Sequence, residues 1–367
     1  MQLTDVIIQK IKEEGPVPFH DFMDMCLYYP DLGYYTSPED KIGPSGDYYT
    51  SANLSPVFGA LIGKQIEKMW SILDEQPFTI VEYGAGTGLL CHDILDYLKD
   101  KETLYNQLNY CIIEKSPVMR EKMKKHLREK VSWYDSIDEI GEITGCILSN
   151  ELVDNFPVHQ VVMEDELMEV FVDHANGFVE LLRPAREELS DYLAELDVQF
   201  PKGFRAEINL KAIEWIKEIA SALKQGFVIT IDYGYVSSEL YRENRSSGTL
   251  MCYHKHSLND YLYENIGEQD ITSHVNFSAL QHWGLKYGLD YCGLTSQAQF
   301  LLALGLIESL NKTMEQGEPS WLDYKKHAFL KHTLLVDMGS KFKVLIQRKG
   351  VPDHEVLGLK FSNISIS

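Results

Sequence analysis

With 367 residues, 44% of them hydrophobic and 24% charged, the chain has the composition of a folded globular protein and room for one large domain or two ordinary ones. Lys and Arg total 34 against 55 Asp and Glu, and the net charge of −21 works against nucleic acid or anionic lipid as partner and favours a cationic one, such as an Arg or Lys side chain on a protein. Cys26, Cys91, Cys111, Cys146, Cys252 and Cys292 are irregularly spaced without a C-x-x-C pair, which argues against a disulfide framework or a thiolate zinc site and for reduced thiols and a cytoplasmic location.

The opening MQLTDVIIQKIKEEG reads as an amphipathic, acidic-leaning helix rather than a signal peptide, and no window approaches the ~20 apolar residues of a membrane span. Residues 1–75 are expected to be helices and loops, with an aromatic, turn-rich segment at 27–51 that suits a lid or binding loop. From Phe78 short apolar runs alternate with amphipathic helices: 78–83, 109–114, 131–134 and 145–151, then 226–234 much later. That pattern predicts a doubly wound α/β sheet of about seven strands, completed by elements near 290–295 and 341–348. Leu90, Ile94, Tyr97 and Leu98 mark one helix face, and Ser116-Pro117 opens a helix carrying Met119, Met123 and Leu127. Residues 157–182 look instead like an antiparallel meander. The expected division is an N-terminal segment (1–75), a core (76–156 and 226–349), an inserted antiparallel β/α lobe (157–225) and a tail (350–367).

VEYGAGTG places Glu82 near the end of a buried strand and Gly84, Gly86 and Gly88 in the turn before a helix, where glycines let backbone amides approach a ligand. A dinucleotide fingerprint would need a third glycine at 89, which is Leu89. A carboxylate at Glu82 repels pyrophosphate but tolerates the ammonium of S-adenosylmethionine. Glu114, ending the next strand, is placed to accept ribose hydroxyls, its alternative being a solvated strand-end charge. At the end of the fourth strand, SNELVDNFP offers Asn150, Glu151 and Asp154 for the transfer chemistry, Asn150 being expected to contact the cofactor as well, with N-capping as the alternative for Asp154.

The stretches MDMCLYYPDLGYYT (24–36), GPSGDYYTS (43–51), VEYGAGTGLL (81–90), SNELVDNFPVHQ (149–160), IDYGY (231–235) and GEQDITSHVNFSAL (267–280) together resemble the MidA-like methyltransferases, whose mitochondrial members assist assembly of respiratory complex I. The resemblance implies a Rossmann-like class I methyltransferase fold, S-adenosylmethionine as methyl donor and, as in the mitochondrial members, a protein arginine as acceptor. Tyr83, Ala85, Val153 and Asn155 depart from the residues more usual in that family.

A guanidinium is a poor nucleophile, so its electrons must be localised on one nitrogen held in line with the methyl, and carboxylates achieve this by bidentate pairing. Glu151 is the first candidate, with Asp154 or Asp47 as companion; Asp47 could equally stabilise its own turn. Asp270, Thr272 and His274 are expected to position the acceptor peptide or cap the helix from Phe277. Tyr28, Tyr29, Tyr34 and Tyr35 suit either a peptide groove or packing between lobes. His254, His256 and His274 lack an accompanying carboxylate-rich helix, so no metal is expected. The rival readings are a non-catalytic assembly chaperone with the same fold and, more remotely, an NAD-dependent oxidoreductase.

Overall fold

The computed structural model describes residues 2–37, 51–125, 127, 130–254, 257–315 and 320–362. Helix α1 (Leu3–Glu14) buries Leu3, Ile7 and Ile11, one face at four-residue spacing, and α2 (Phe19–Tyr28) buries Phe19, Phe22, Met23, Cys26 and Leu27. Helix α3 (Pro56–Ile72) begins with proline at its first position behind the cap Ser55, whose Oγ accepts the Val57 N–H.

The sheet then starts: β1 (Phe78–Tyr83), α4 (Leu89–Leu98), β2 (Leu108–Ile113), α5 (Pro117–Met123), β3 (Val131–Tyr134) and β4 (Ile143–Asn150). A meander follows, β5 (His159–Met163), β6 (Leu167–His174) and β7 (Phe178–Pro184), which β8 (Arg205–Ile208) extends by pairing with β5. Helix α6 (Leu210–Ala222) leads back to β9 (Leu223–Tyr235). After a small sheet of β10 (Met251–His254), β11 (Ser257–Asn259) and β12 (Asp270–Thr272), the chain closes with α7 (Phe277–Lys286), β13 (Asp290–Ser296), α8 (Gln297–Leu304), α9 (Leu306–Glu315), α10 (Trp321–His332) and β14 (Phe342–Lys349).

The main path of the large sheet runs β13-β14-β9-β4-β1-β2-β3, parallel except for β14, which is antiparallel to both neighbours. This is the doubly wound arrangement expected, with strand order reversing between β1 and β4. Alternation along the strands feeds two cores: Ile80, Ile112, Leu148 and Ile229 point to the α3/α4 side, and Val81, Cys111, Ile147 and Val228 to the α6/α7 side. A third core joins α1 and α2 to the meander and to β10 and β12, reinforced by a two-residue strand, Val17–Pro18, paired with β6. The first 75 residues therefore divide, with α1 and α2 on the lobe and α3 on the sheet.

Two local expectations change. The helix from Pro117 ends at Met123, so Leu127 lies beyond it although still buried, its N–H donating to the Met123 carbonyl at 2.8 Å. The helices α9 and α10, between the last two strands, had no counterpart in the sequence reading.

Candidate active site

Open α/β sheets bind ligands beyond the carboxyl ends of their strands, at the point where strand order reverses. Here the loop after β1 lies at that point. Gly84, Gly86 and Gly88 have φ of 64°, 55° and 78°, a left-handed backbone that side chains disfavour, and the loop is tied to β2 by the Gly84 N–H donating to the Ile113 carbonyl at 2.9 Å. Glu82 is 2% exposed and its Oε2 accepts the Tyr110 hydroxyl at 2.6 Å. Burial raises its carboxyl to about 7, against the lowering effect of that hydrogen bond.

Glu114 is the first residue past β2, and its Oε1 accepts the Ser116 N–H at 2.8 Å. Burial raises its pKa, while the nearby amides of Ser116 and Gly86 pull it down. Arg120, on α5, bonds the Glu114 carbonyl, the Tyr134 carbonyl and Asp135 Oδ1, stapling the ends of β2 and β3 together beneath that carboxylate.

The other half of the cleft is built after β4. Glu151 leaves the strand with φ 53°, uncommon for a residue with a side chain, held there by its N–H donating to the Ile231 carbonyl at 2.9 Å. Its Oε1 accepts the Asn150 Nδ2 at 3.1 Å and the Ser51 N–H at 3.2 Å. Desolvation, then repulsion from Asp154, pushes Glu151 up to about 8. Asp154 is 3% exposed and raised to about 7 by burial.

N-capping, the alternative role considered for Asp154, belongs to Asp232 instead. Asp232 Oδ2, fully buried on β9, accepts the N–H groups of Leu152, Val153 and Asp154 at 3.2, 2.9 and 3.3 Å, capping the short helical turn Val153–Asn155. Burial and the neighbouring Asp154 raise the Asp232 pKa well above the ordinary range, against the pull of the amides. Local spacing could not reveal this cap, because it acts across about eighty residues; the one signal was the acidic residue inside IDYGY. Ser51 was likewise not singled out.

Asp47 and His256 lie outside the described residues. The helix from Phe277 is capped by Asn276, whose Oδ1 accepts the Ala279 N–H at 3.2 Å, so the capping role entertained for Asp270, Thr272 and His274 is corrected: the side chain that reaches the first turn comes from the residue next to it. Asp270 receives the Tyr35 hydroxyl at 2.9 Å on both oxygens, and that hydroxyl also lies 2.9 Å from Asn155 Oδ1. Tyr28 donates to the Asn155 carbonyl at 3.0 Å and Tyr34 is fully buried, so these three tyrosines fasten the N-terminal segment to the site's scaffold. Thr272 is buried, and His274, its ring edge-on to Tyr233, is lowered to about 4 by burial. His254 is half-buried and its ring nitrogen bonds the Glu268 carbonyl.

The loop residues fit S-adenosylmethionine. Residues 84–88 contain no Lys or Arg, Leu89 replaces the third glycine of a dinucleotide fingerprint, and two carboxylates border the loop. That set repels a pyrophosphate and suits an ammonium and a ribose diol.

Residues 61–295 match a family model described as "Putative S-adenosyl-L-methionine-dependent methyltransferase". The mitochondrial protein arginine methyltransferase NDUFAF7 homologue of Drosophila melanogaster is 25% identical, covering 93% of this chain and 84% of its own length. The human protein of that name is 26% identical over 86% of this chain and 76% of its own. A protein from Burkholderia thailandensis, crystallised bound to S-adenosyl-homocysteine, is 29% identical with a TM-score of 0.87, covering 99% of this chain and 95% of that one. The cytoplasmic location expected from the cysteines is overturned by the curated relatives, which are mitochondrial; free thiols report a reducing environment and do not distinguish the compartments that provide one. Among the described residues no helix is long and apolar enough to cross a membrane.

Proposed function

Since the chain belongs to this family of S-adenosyl-L-methionine-dependent methyltransferases, we propose that it methylates an arginine guanidinium on a protein partner. The observation that carries the acceptor is the pairing of Glu151 with Asp154, two carboxylates close enough for one to raise the pKa of the other, beyond the strand ends where the sheet order reverses. The names of the fly and human relatives agree with it.

In this reading Gly84, Gly86 and Gly88 present the backbone to the cofactor, Glu82 faces its ammonium side and Glu114 its ribose hydroxyls. S-adenosylmethionine, when bound, supplies an electrophilic methyl on a sulfonium. Glu151 and Asp154 grip the guanidinium and concentrate its electrons on one nitrogen, while Asn150 and the Ser51 amide fix the Glu151 carboxylate. Without a cation beside it, Glu151 holds a proton up to about pH 8; an arriving guanidinium favours the carboxylate and drives that proton off. The attacking nitrogen must shed one proton as its new bond to carbon forms and the methyl's bond to sulfur breaks, leaving the donor as a neutral thioether, and Glu151 is the base that takes the proton and passes it to solvent. Asp270, Thr272 and His274 position the acceptor, and Asp47 adds a carboxylate from GPSGDYYTS.

The test is titration of the purified protein with S-adenosylmethionine and with NADH, then transfer of a labelled methyl group to protein from the same source, with acid hydrolysis to identify the product. Binding of S-adenosylmethionine and labelled methylarginine are expected. Methyllysine as the labelled product would replace the acceptor, and binding of NADH alone would overturn the enzyme class.

A further inference from the structure

Several buried polar atoms in the acceptor half have no hydrogen-bond partner among the described residues, among them Asn150 Oδ1, Asp154 Oδ1, Tyr233 Oη and Thr272 Oγ1, with His274 Nδ1 beside them. The oxygens come from three separate stretches, the end of β4 with the turn that follows it, β9, and β12. The Asp154 and Thr272 side chains are deeply buried, at 3% and 2% exposure. The Tyr233 hydroxyl lies between Asp154 and Thr272, oriented to donate toward the carboxylate and to receive from the Thr272 hydroxyl, although neither approach has the geometry of a closed hydrogen bond. Buried polar atoms are ordinarily paired, and a converging set of orphans is the mark of a site whose partners arrive with a ligand.

The chemistry of the orphans defines that ligand. An amide oxygen and a carboxylate oxygen can only accept, and both hydroxyls can accept. The neighbouring carboxylates are already engaged: Asp232 by the amides of residues 152–154 and Asp270 by Tyr35. Arg245 and Lys343 lie over the Tyr235 ring, at 3.9 and 5.8 Å, and among the described residues no Lys or Arg is paired with Asp154. What the cluster lacks is a positively charged group with many donors. A guanidinium brings five N–H donors in one plane and an ammonium only three.

We infer that Asp154, Tyr233 and Thr272 form a guanidinium-selecting pocket, with Tyr233 and Thr272 as specificity residues that favour arginine over lysine. This inference rests on the arginine reading above. The Tyr233 ring is held edge-on between Phe342 and His274, at centroid distances of 5.5 and 5.4 Å, so its hydroxyl is set in place before the ligand enters. The Thr272 backbone is held in turn by strand pairing between β10 and β12, where Thr272 stands opposite Met251, and its branched side chain has few rotamers. An ammonium in this pocket leaves acceptors unpaired, and a site built around hydrogen bonds discriminates strongly against a ligand that cannot make them.

The experiment measures binding of Nα-acetylarginine amide and Nα-acetyllysine amide to protein saturated with S-adenosylhomocysteine, followed by NMR, for the wild type and for Thr272→Val, Tyr233→Phe and Thr272→Ser. The wild type should prefer the arginine probe by at least about tenfold, and Val and Phe should each weaken it about tenfold while leaving the lysine probe unchanged. Thr272→Ser keeps the hydroxyl and should bind as the wild type does. S-adenosylhomocysteine affinity and melting temperature identify any variant that fails by misfolding, in which case the Ser variant and the remaining substitution decide. Wild-type preference for arginine that survives both hydroxyl deletions would overturn the pocket and leave the arginine reading standing. Preference for the lysine probe, or binding of neither, would overturn the arginine reading and the pocket with it.

Discussion

At the β1–β2 end of the cleft each carboxylate has a fixed donor, Tyr110 for Glu82 and the Ser116 amide for Glu114. At the β4–β9 end Glu151 and Asp232 are held in the same way, but Asp154, Tyr233, Thr272 and Asn150 keep buried acceptor atoms unpaired. Apart from Thr272, which the small sheet contributes, both halves rest on the large sheet and are similarly buried, so solvent exposure does not explain the difference. It follows from what each half must do. A site that always meets the same cofactor can be wired in advance, whereas a site that selects a cationic side chain must hold back acceptors for it.

Substitutions on the two sides should therefore fail in different quantities. The largest effect is expected from Glu151→Gln, which keeps the shape but removes the negative charge that localises the guanidinium electrons and takes up the proton. Turnover on the methylated protein should fall by about 10²–10⁴ while S-adenosylmethionine affinity stays within about threefold. Equal losses in both would mean that Glu151 belongs to the cofactor half. Gly86→Val does the reverse: a β-branched side chain at φ 55° is strained, in the loop proposed to meet the cofactor. Cofactor affinity by calorimetry should drop about a hundredfold, as expected when several kcal/mol of strain and steric exclusion are added. Retained affinity would move the cofactor away from this loop.

Asp232→Ala sharpens the contrast, because Asp232 supports the acceptor half without any place in the proposed chemistry. Its removal strands the amides of Leu152, Val153 and Asp154, and should cost about 2–4 kcal/mol of stability in denaturant titrations. Cofactor affinity should survive at temperatures where the fold persists. An unchanged unfolding midpoint would show that the turn at 153–155 stands without its cap.

The same contrast decides what could be read from the sequence. The cofactor half is nearly contiguous: strand, glycines and helix occupy 78–98, and Glu114 closes the next strand, so periodicity and one motif were enough to locate it. In the acceptor half, Asn150, Glu151 and Asp154 were legible because they too share one stretch. Asp232 and Tyr233 were not, since the amides that Asp232 binds lie about eighty residues away, the Thr272 that Tyr233 faces is on another sheet, and a lone Asp-Tyr pair after an apolar strand carries no spacing signal. Thr272 and His274 were noticed as polar residues near a helix start, but the cap was the adjacent Asn276, because N-capping depends on which side chain reaches the first-turn amides. Helices α9 and α10 escaped notice for a further reason. The α10 sequence, WLDYKKHAFLKH, exposes Trp321, Leu322 and Phe329 while burying Leu330, so its apolar residues do not mark the packed face.

The smallest effect expected, and the one that separates the halves by sign, is pH dependence. Glu151 and Asp154 are raised from 4.5 and 3.8 to about 8 and about 7, chiefly because burial disfavours their charged forms. A carboxyl raised in the folded state contributes stability that is complete below its unfolded pKa and is lost as pH rises through the folded value. The ligand-free protein should accordingly melt at progressively lower temperature between pH 5 and pH 9, and Glu151→Gln should flatten part of that slope. Guanidinium binding needs the same groups ionised, so affinity for Nα-acetylarginine amide should rise over that range, by about tenfold between pH 6 and pH 8. Glu82, also raised to about 7 but bonded to Tyr110, adds to the first slope and not to the second. Should acceptor affinity fall together with stability as pH rises, the acceptor half binds a neutral or anionic group, and the unpaired atoms around Asp154 would have to be explained by a different ligand.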